Sequence, residues 1–250
     1  MFKKTGALFF ISHLLVLLIS INVNSAQAGL RLEKSRIIWS DSDTQQSVAL
    51  TNDSDDIYLI QSGVFNTPTG TQESPLFSVI PPLYRLDANK QQTMKVLLQS
   101  SPESLPQDRE SVFYFSAIAI PSVSPELTEN AAAQLSIGTR LVIKLFYRPV
   151  KFTQSPDAAV ANLQFHTSPK GLCVANHSPY FITLSEVKVG NQVFAQFAGT
   201  MVAPFSQQTL AISESISVQT PMRWQAINDY GGDTAPYSGS VKENKGLLCQ

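Results

Sequence analysis

The sequence predicts an all-β chain folded as two sandwich-like domains. Three observations carry this. Short runs of β-branched and aromatic residues recur between Asn/Asp/Pro/Gly clusters, the pattern of sandwiches and barrels. Helical periodicity is almost absent, and the Ala-rich "TENAAAQ", the one mildly helical stretch, reads as a mobile loop. The proline-punctuated "RPVKFTQSPDAAV", with Pro149 and Pro156, divides the chain into two parts of ordinary domain size.

The first 28 residues stand outside this fold. Lys3 and Lys4, an apolar core and the small-residue end Ala26-Gln27-Ala28 have the layout of a secretory signal peptide rather than of a membrane anchor. A mature chain beginning near Gly29 loses two of the 18 basic residues, so 16 face 19 acidic ones and the formal charge is −3. That balance argues against a nucleic-acid binder, and signal cleavage leaves nothing to insert in a membrane.

Residues 29–149 are expected to form the first domain, from "SRIIWS", "QQSVALTN", "DIYLIQSGVF", "PLFSVIPPLYRL", "QTMKVLLQ", "SVFYFSAIAI" and "QLSIGTRLVIKLFY". The double proline in "IPPLYRL" excludes a central strand and reads as a loop or edge. Residues 150–250 are expected to form the second domain, from "ANLQFHT", "GLCVANHS", "YFITLSEVKVG", "VFAQF", "QQTLAIS", "MRWQAIND" and "GSVKENKGLLC". No internal repeat stands out.

Chemistry-bearing motifs are few. There is no Cys/His cluster at metal spacing, no Gly-rich phosphate loop and no G-x-S-x-G elbow, so no metal, cofactor or catalytic residue is assigned. Acidic residues gather in turn clusters such as "DSDTQ" and "NDSDD", which fits solvated loops better than the acid–base pairs of a secreted hydrolase. His166 and His177 lie near turn signals and read as surface residues. Asn52-Asp53-Ser54 and Asn176-His177-Ser178 match the glycosylation sequon, a pattern short enough to arise by chance. Cys173 and Cys249 suggest one disulfide in an exported protein, the alternative being two reduced, unrelated thiols.

One residue stands against its surroundings. Lys144 sits in the apolar, β-prone run "TRLVIKLFYRP". A buried ammonium without a partner is costly, so either an anion is fixed inside the protein or one arrives with a ligand. Alternation puts Leu135, Ile137, Thr139, Leu141 and Ile143 on one face, with Arg140, Val142 and Lys144 on the other. By pattern alone the strand is either interior and facing its own core or an exposed, sticky edge.

An ordered set of motifs then resembles the periplasmic chaperones of the chaperone–usher pilus pathway. It comprises "SRIIW", "TN" (Thr51, Asn52), "PPLYRL", "LPQDRESVFYF", "IKLFYRP", "NHSPYFITL", "MVAPFS" and "INDYGG". The resemblance implies a boomerang of two immunoglobulin-like domains and a non-enzymatic role in the periplasm. There the protein would bind pilus or fimbrial subunits and deliver them to an outer-membrane usher. It implies that Arg36 and Lys144 anchor a subunit's C-terminal carboxylate, and that Leu135, Ile137, Thr139, Leu141 and Ile143 belong to a strand donated to the subunit. It also implies an interdomain salt-bridge network of Glu110, Arg148 and Asp229. The family pattern runs "TRIK", whereas this chain has "TRLVIK", two residues longer. The extension keeps every side chain on its face but moves the lysine about 7 Å along the strand, at roughly 3.3 Å per residue. Counting from the arginine and counting from Lys144 therefore place different side chains in the donor positions.

Overall fold

The computed structural model describes residues 29–122, 137–149, 152–244 and 249. The expected signal segment, the Ala-rich stretch and Leu135 lie outside the described residues. The remainder forms two β-sandwiches, each around its own apolar core.

The first sandwich contains β1 (Leu30–Leu32), β2 (Arg36–Ser40), β3 (Gln45–Asn52), β4 (Tyr58–Phe65), β5 (Phe77–Ile80), β6 (Leu83–Leu86), β7 (Gln91–Leu98), β8 (Ser111–Pro121) and β9 (Thr139–Arg148). One sheet has the order β1-β3-β7-β5 and the other β2-β9-β8-β4-β6. The period-two pattern explains the core: along β8, Phe113, Phe115, Ala117 and Ala119 are buried. Across the sandwich Phe77 meets Trp39 and Phe113 edge to face, with centroids 5.3 and 5.2 Å apart. The chain changes sheets at Pro81–Pro82, and β6 then takes an outer position, as the missing N–H groups require.

The second sandwich begins with a helix absent from the sequence expectation, α1 (Pro156–Ala161). Ser155 caps it by accepting a hydrogen bond from the Ala158 amide at 3.2 Å, and Pro156 supplies a preset φ at its start. The strands are β10 (Gln164–Ser168), β11 (Gly171–Asn176), β12 (Ile182–Val189), β13 (Gln192–Val193), β14 (Met201–Val202), β15 (Ser206–Ala211), β16 (Pro221–Ala226) and β17 (Tyr237–Ser240). They form a sheet β10-β11-β15 and a sheet β13-β12-β16-β17, with β14 also paired to β12. The Trp224 indole donates to the carbonyl of Val160 at 2.9 Å and ties α1 to the core.

Three local departures from the sequence reading have physical causes. Of "VFAQF" only Val193, the end of β13, is strand: Ala195–Phe197 is a 3₁₀ turn, and Phe194 and Phe197 are both buried. In β12 the inward set switches from Ile182 and Leu184 to Val187 and Val189, because a bulge at Ser185 shifts the register. His166 is not a surface residue: it is only 8% exposed, lies in β10 opposite Cys173, and donates from Nδ1 to the Glu243 carbonyl at 3.1 Å. His177 is exposed. Cys173 and Cys249 form a disulfide across a sequence separation of 76, which contributes on the order of 4 kcal/mol in the chain-entropy model.

The two Asn-x-Ser motifs turn out to be a structural repeat. Asn52 ends β3 and Asn176 ends β11, and both are buried. Each amide oxygen accepts from the backbone and hydroxyl of the serine two residues on, and each amide nitrogen donates to carbonyls of the loop beyond. Both side chains satisfy the backbone of a strand-to-loop corner.

Candidate functional site

The outer face of the five-stranded sheet carries a row of side chains in register across four strands. Arg36 lies opposite Lys144, Lys144 opposite Tyr114, and Tyr114 opposite Phe65. The Arg36–Lys144 end of this row faces the second domain at the junction. Arg36 Nη1 donates to the Ile227 carbonyl at 3.0 Å, and Lys144 Nζ donates to Thr183 Oγ1 at 3.2 Å. The Arg36 guanidinium also lies 5.6 Å from the centroid of the Phe146 ring. Arg36 is 8% exposed, and among the described residues its Nε has no hydrogen-bond partner.

Among the described residues no carboxylate pairs with Arg36 or Lys144. Burial pushes the Lys144 ammonium down from its ordinary value, and the neighbouring charge of Arg36 pushes it further. Burial likewise lowers Arg36, while Asp229 and Glu110 pull it back. Two adjacent, partly desolvated cations repel each other, and an incoming carboxylate would relieve both costs.

Glu110, Arg148 and Asp229 come together beside this row. Arg148 bonds Glu110 at 2.7 Å and makes a bidentate contact with Asp229 at 3.1 and 3.2 Å. Glu110 Oε2 accepts from the Phe181 amide at 2.8 Å, and its own amide donates to the Pro179 carbonyl at 2.9 Å. Glu110 and Arg148 belong to the first sandwich, Asp229 and Phe181 to the second, so the cluster bridges the two. Burial pushes the Glu110 carboxyl up, against the opposing pull of Arg148 and the Phe181 amide.

Arg148→Ala would leave Glu110 buried without its cation. A loss of about 3–5 kcal/mol of stability is expected, the usual cost of breaking a buried pair. A carboxyl raised in the folded state binds its proton more tightly there than in the unfolded chain. Its stabilisation is therefore present at low pH and lost as pH rises above the ordinary carboxylate range. Without Arg148 that loss steepens. Thermal unfolding should show a larger deficit, relative to the wild-type protein, at about pH 7.5 than at about pH 5. A pH-independent deficit would count against it.

The pairing of β9 answers whether its strand is interior or edge. β8 pairs with it from Thr139 to Tyr147, but β2 covers only Lys144 to Arg148. The Lys144 end is therefore interior, and among the described residues Thr139–Ile143 is paired on one side only. Pairing with β8 shows no register shift, so the two extra residues of "TRLVIK" are absorbed as regular strand. Leu141 and Ile143 are half-buried against the first domain's own core. Thr139 is exposed and Ile137 is 73% exposed. Arg140 shares the face of Lys144 but is held by Ser116 Oγ at 2.7 Å, by the Thr69 carbonyl and by the face of Phe65.

Thr183, Phe146 and the Ile227 carbonyl were not singled out from the sequence. All three lie within the motifs "NHSPYFITL", "IKLFYRP" and "INDYGG", but a backbone carbonyl and a buried hydroxyl carry no charge pattern to mark them.

Two family descriptions match the chain: "Pili and flagellar-assembly chaperone, PapD N-terminal domain" over residues 29–153, and "Pili assembly chaperone PapD, C-terminal domain" over residues 158–238. The chain is 36% identical over 219 residues to the chaperone protein FimC of Escherichia coli (strain K12), covering 87% of this chain and 86% of that protein. It is 32% identical over 240 residues to the chaperone protein HifB of Haemophilus influenzae, covering 93% and 95%. Among solved structures, the periplasmic chaperone SfaE superposes with a TM-score of 0.69 at 31% identity, over 86% of this chain and 100% of that one. A Salmonella enterica SafA pilin in complex with the SafB chaperone gives a TM-score of 0.72 at 26% identity, over 85% and 96%.

Proposed function

Because this chain belongs to the family of PapD-type pili assembly chaperones, we propose that it is a periplasmic chaperone that lends β9 to incomplete pilus or fimbrial subunits and delivers them to an outer-membrane usher. The family is one of chaperones, not of enzymes. The observation that carries the reading is the coincidence of two features among the described residues: the cation pair Arg36–Lys144, which no carboxylate pairs, lies where β2 stops covering the edge of β9.

That juxtaposition suits a chain terminus. A strand added along Thr139–Ile143 takes up the unpaired backbone groups of the edge, and donor-strand complementation between chaperone and pilin is a known form of such strand addition. Its terminal carboxylate then reaches Arg36 and Lys144 and gains charge-assisted bonds from both. Fixing the terminus also fixes the register, since a slip of one residue would turn every side chain to the wrong face. In this reading the count runs from Lys144, and the donor positions are Thr139, Ile137 and, beyond the described residues, Leu135. Leu141 and Ile143 help to hold the strand to its own domain.

The test is capture. The tagged mature protein, purified from periplasm in cells making fimbrial subunits, should bring subunits with it in about equal amounts. Recovery of the chaperone alone, with the subunits degraded or aggregated, would count against the reading.

A further inference from the structure

Tyr230 is 97% exposed, at the tip of a turn that the structure otherwise holds tightly. Asn228 locks that turn: its Oδ1 accepts from the amides of Tyr230 at 3.0 Å and Gly232 at 3.1 Å, and its own amide donates to the Gly232 carbonyl at 2.8 Å. Residues just before the tip are held by the first sandwich. The Ile227 carbonyl accepts from Arg36, and Asp229 pairs with Arg148. Gly231 adopts φ +88°, and a Cβ there would lie 2.2 Å from Ser35 Oγ, so only glycine allows the turn to seat against Ser35.

Ser35 immediately precedes β2, which first covers β9 at Lys144. A strand added along Thr139–Ile143 and ending at Arg36 and Lys144 would occupy the line that β2 leaves open. It would meet this turn at its end. A tyrosine fixed in that place offers an apolar ring face and one hydroxyl, the pairing favoured at buried interface centres. Because the backbone beneath it is already ordered, little further entropy is lost when the ring is covered.

We infer that Tyr230 is a contact residue for the C-terminal residues of a bound subunit, packing its ring on the strand that ends at the cation pair. This rests on the proposed capture of a subunit carboxylate at Arg36 and Lys144, and it adds a contact made by the second domain.

Nitration with tetranitromethane, followed by peptide mapping of the mature protein and of its complex with one subunit, tests it. The other tyrosines are buried or half-buried, so Tyr230 should be modified first in the free protein. In the complex it should be protected. Tyr230→Ala should release the subunit about tenfold faster at unchanged melting temperature, the scale expected for truncating a contact residue. Tyr230→Phe should keep most of the affinity. Equal nitration in free and bound protein, with wild-type release by Tyr230→Ala, would overturn the inference while leaving the anchor intact. Should Lys144→Ala still form the complex, the capture reading fails and the inference falls with it.

Discussion

Lys144→Ala is expected to leave a folded, exported protein that no longer holds subunits. In the free protein the ammonium donates to the Thr183 hydroxyl and is repelled by Arg36. Its removal should therefore leave stability unchanged or slightly raised. In the complex the same change strands a partly desolvated carboxylate on one cation. Truncating one member of such a pair costs about 2–5 kcal/mol, a factor of roughly 30 to several thousand in affinity. Arg36→Ala should lose capture by a similar margin, but with some loss of stability, because it also gives up the Ile227 contact and the packing on Phe146. Subunit dissociation constants together with thermal unfolding of both variants check this. Wild-type capture by either would remove these cations from the anchor.

The second large effect is expected at Ile137. This side chain is 73% exposed, four positions along the strand from Leu141, which is half-buried against the domain's own core. Ile137→Asp should cost the free protein almost nothing, yet place an unpaired carboxylate in the subunit's apolar groove, which is strongly unfavourable. Capture should be severely weakened. Thr139 discriminates the two ways of counting the strand. If Lys144 sets the register, Thr139→Leu fills an underpacked position and tightens binding by roughly 1–2 kcal/mol. If the arginine sets it, the same change is neutral or harmful through overpacking. Exchange of a subunit between wild type and each variant, at equal folded concentration, reads both. Unchanged exchange with Ile137→Asp would exclude this strand as the donor.

The division into two β-rich halves was legible because alternation is a local signal: Phe113, Phe115, Ala117 and Ala119 announce their shared face without reference to anything distant. The double proline likewise announced an edge. What the sequence hid depends on partners remote in the chain. Whether β9 is interior or edge is decided by the length of β2, which ends its cover at Lys144, and no property of β9 itself records that. His166 has the local signature of a surface residue because a turn lies a few residues away, whereas it pairs with the chain around Lys242 and is buried. The bulge at Ser185 breaks a period that otherwise looked regular. The start of α1 did carry a signal, Ser155-Pro156-Asp157, but a stretch with two prolines reads as linker more readily than as a capped helix. At the site, Lys144 was conspicuous as a charge in an apolar run. The assignment of Arg36, Glu110, Arg148 and Asp229 needed the family resemblance, because nothing local relates residues so far apart in the chain.

The most direct measurement compares one subunit in two forms, with its C-terminal carboxylate free and with the same terminus amidated. Amidation removes the charge and leaves the strand and its side chains intact. If Arg36 and Lys144 hold the terminus, the amide should bind the wild-type protein more weakly by about the factor that Lys144→Ala costs, and combining the two changes should cost much less than their sum. Equal affinity for the two forms, or full additivity of amidation and Lys144→Ala, would contradict carboxylate anchoring.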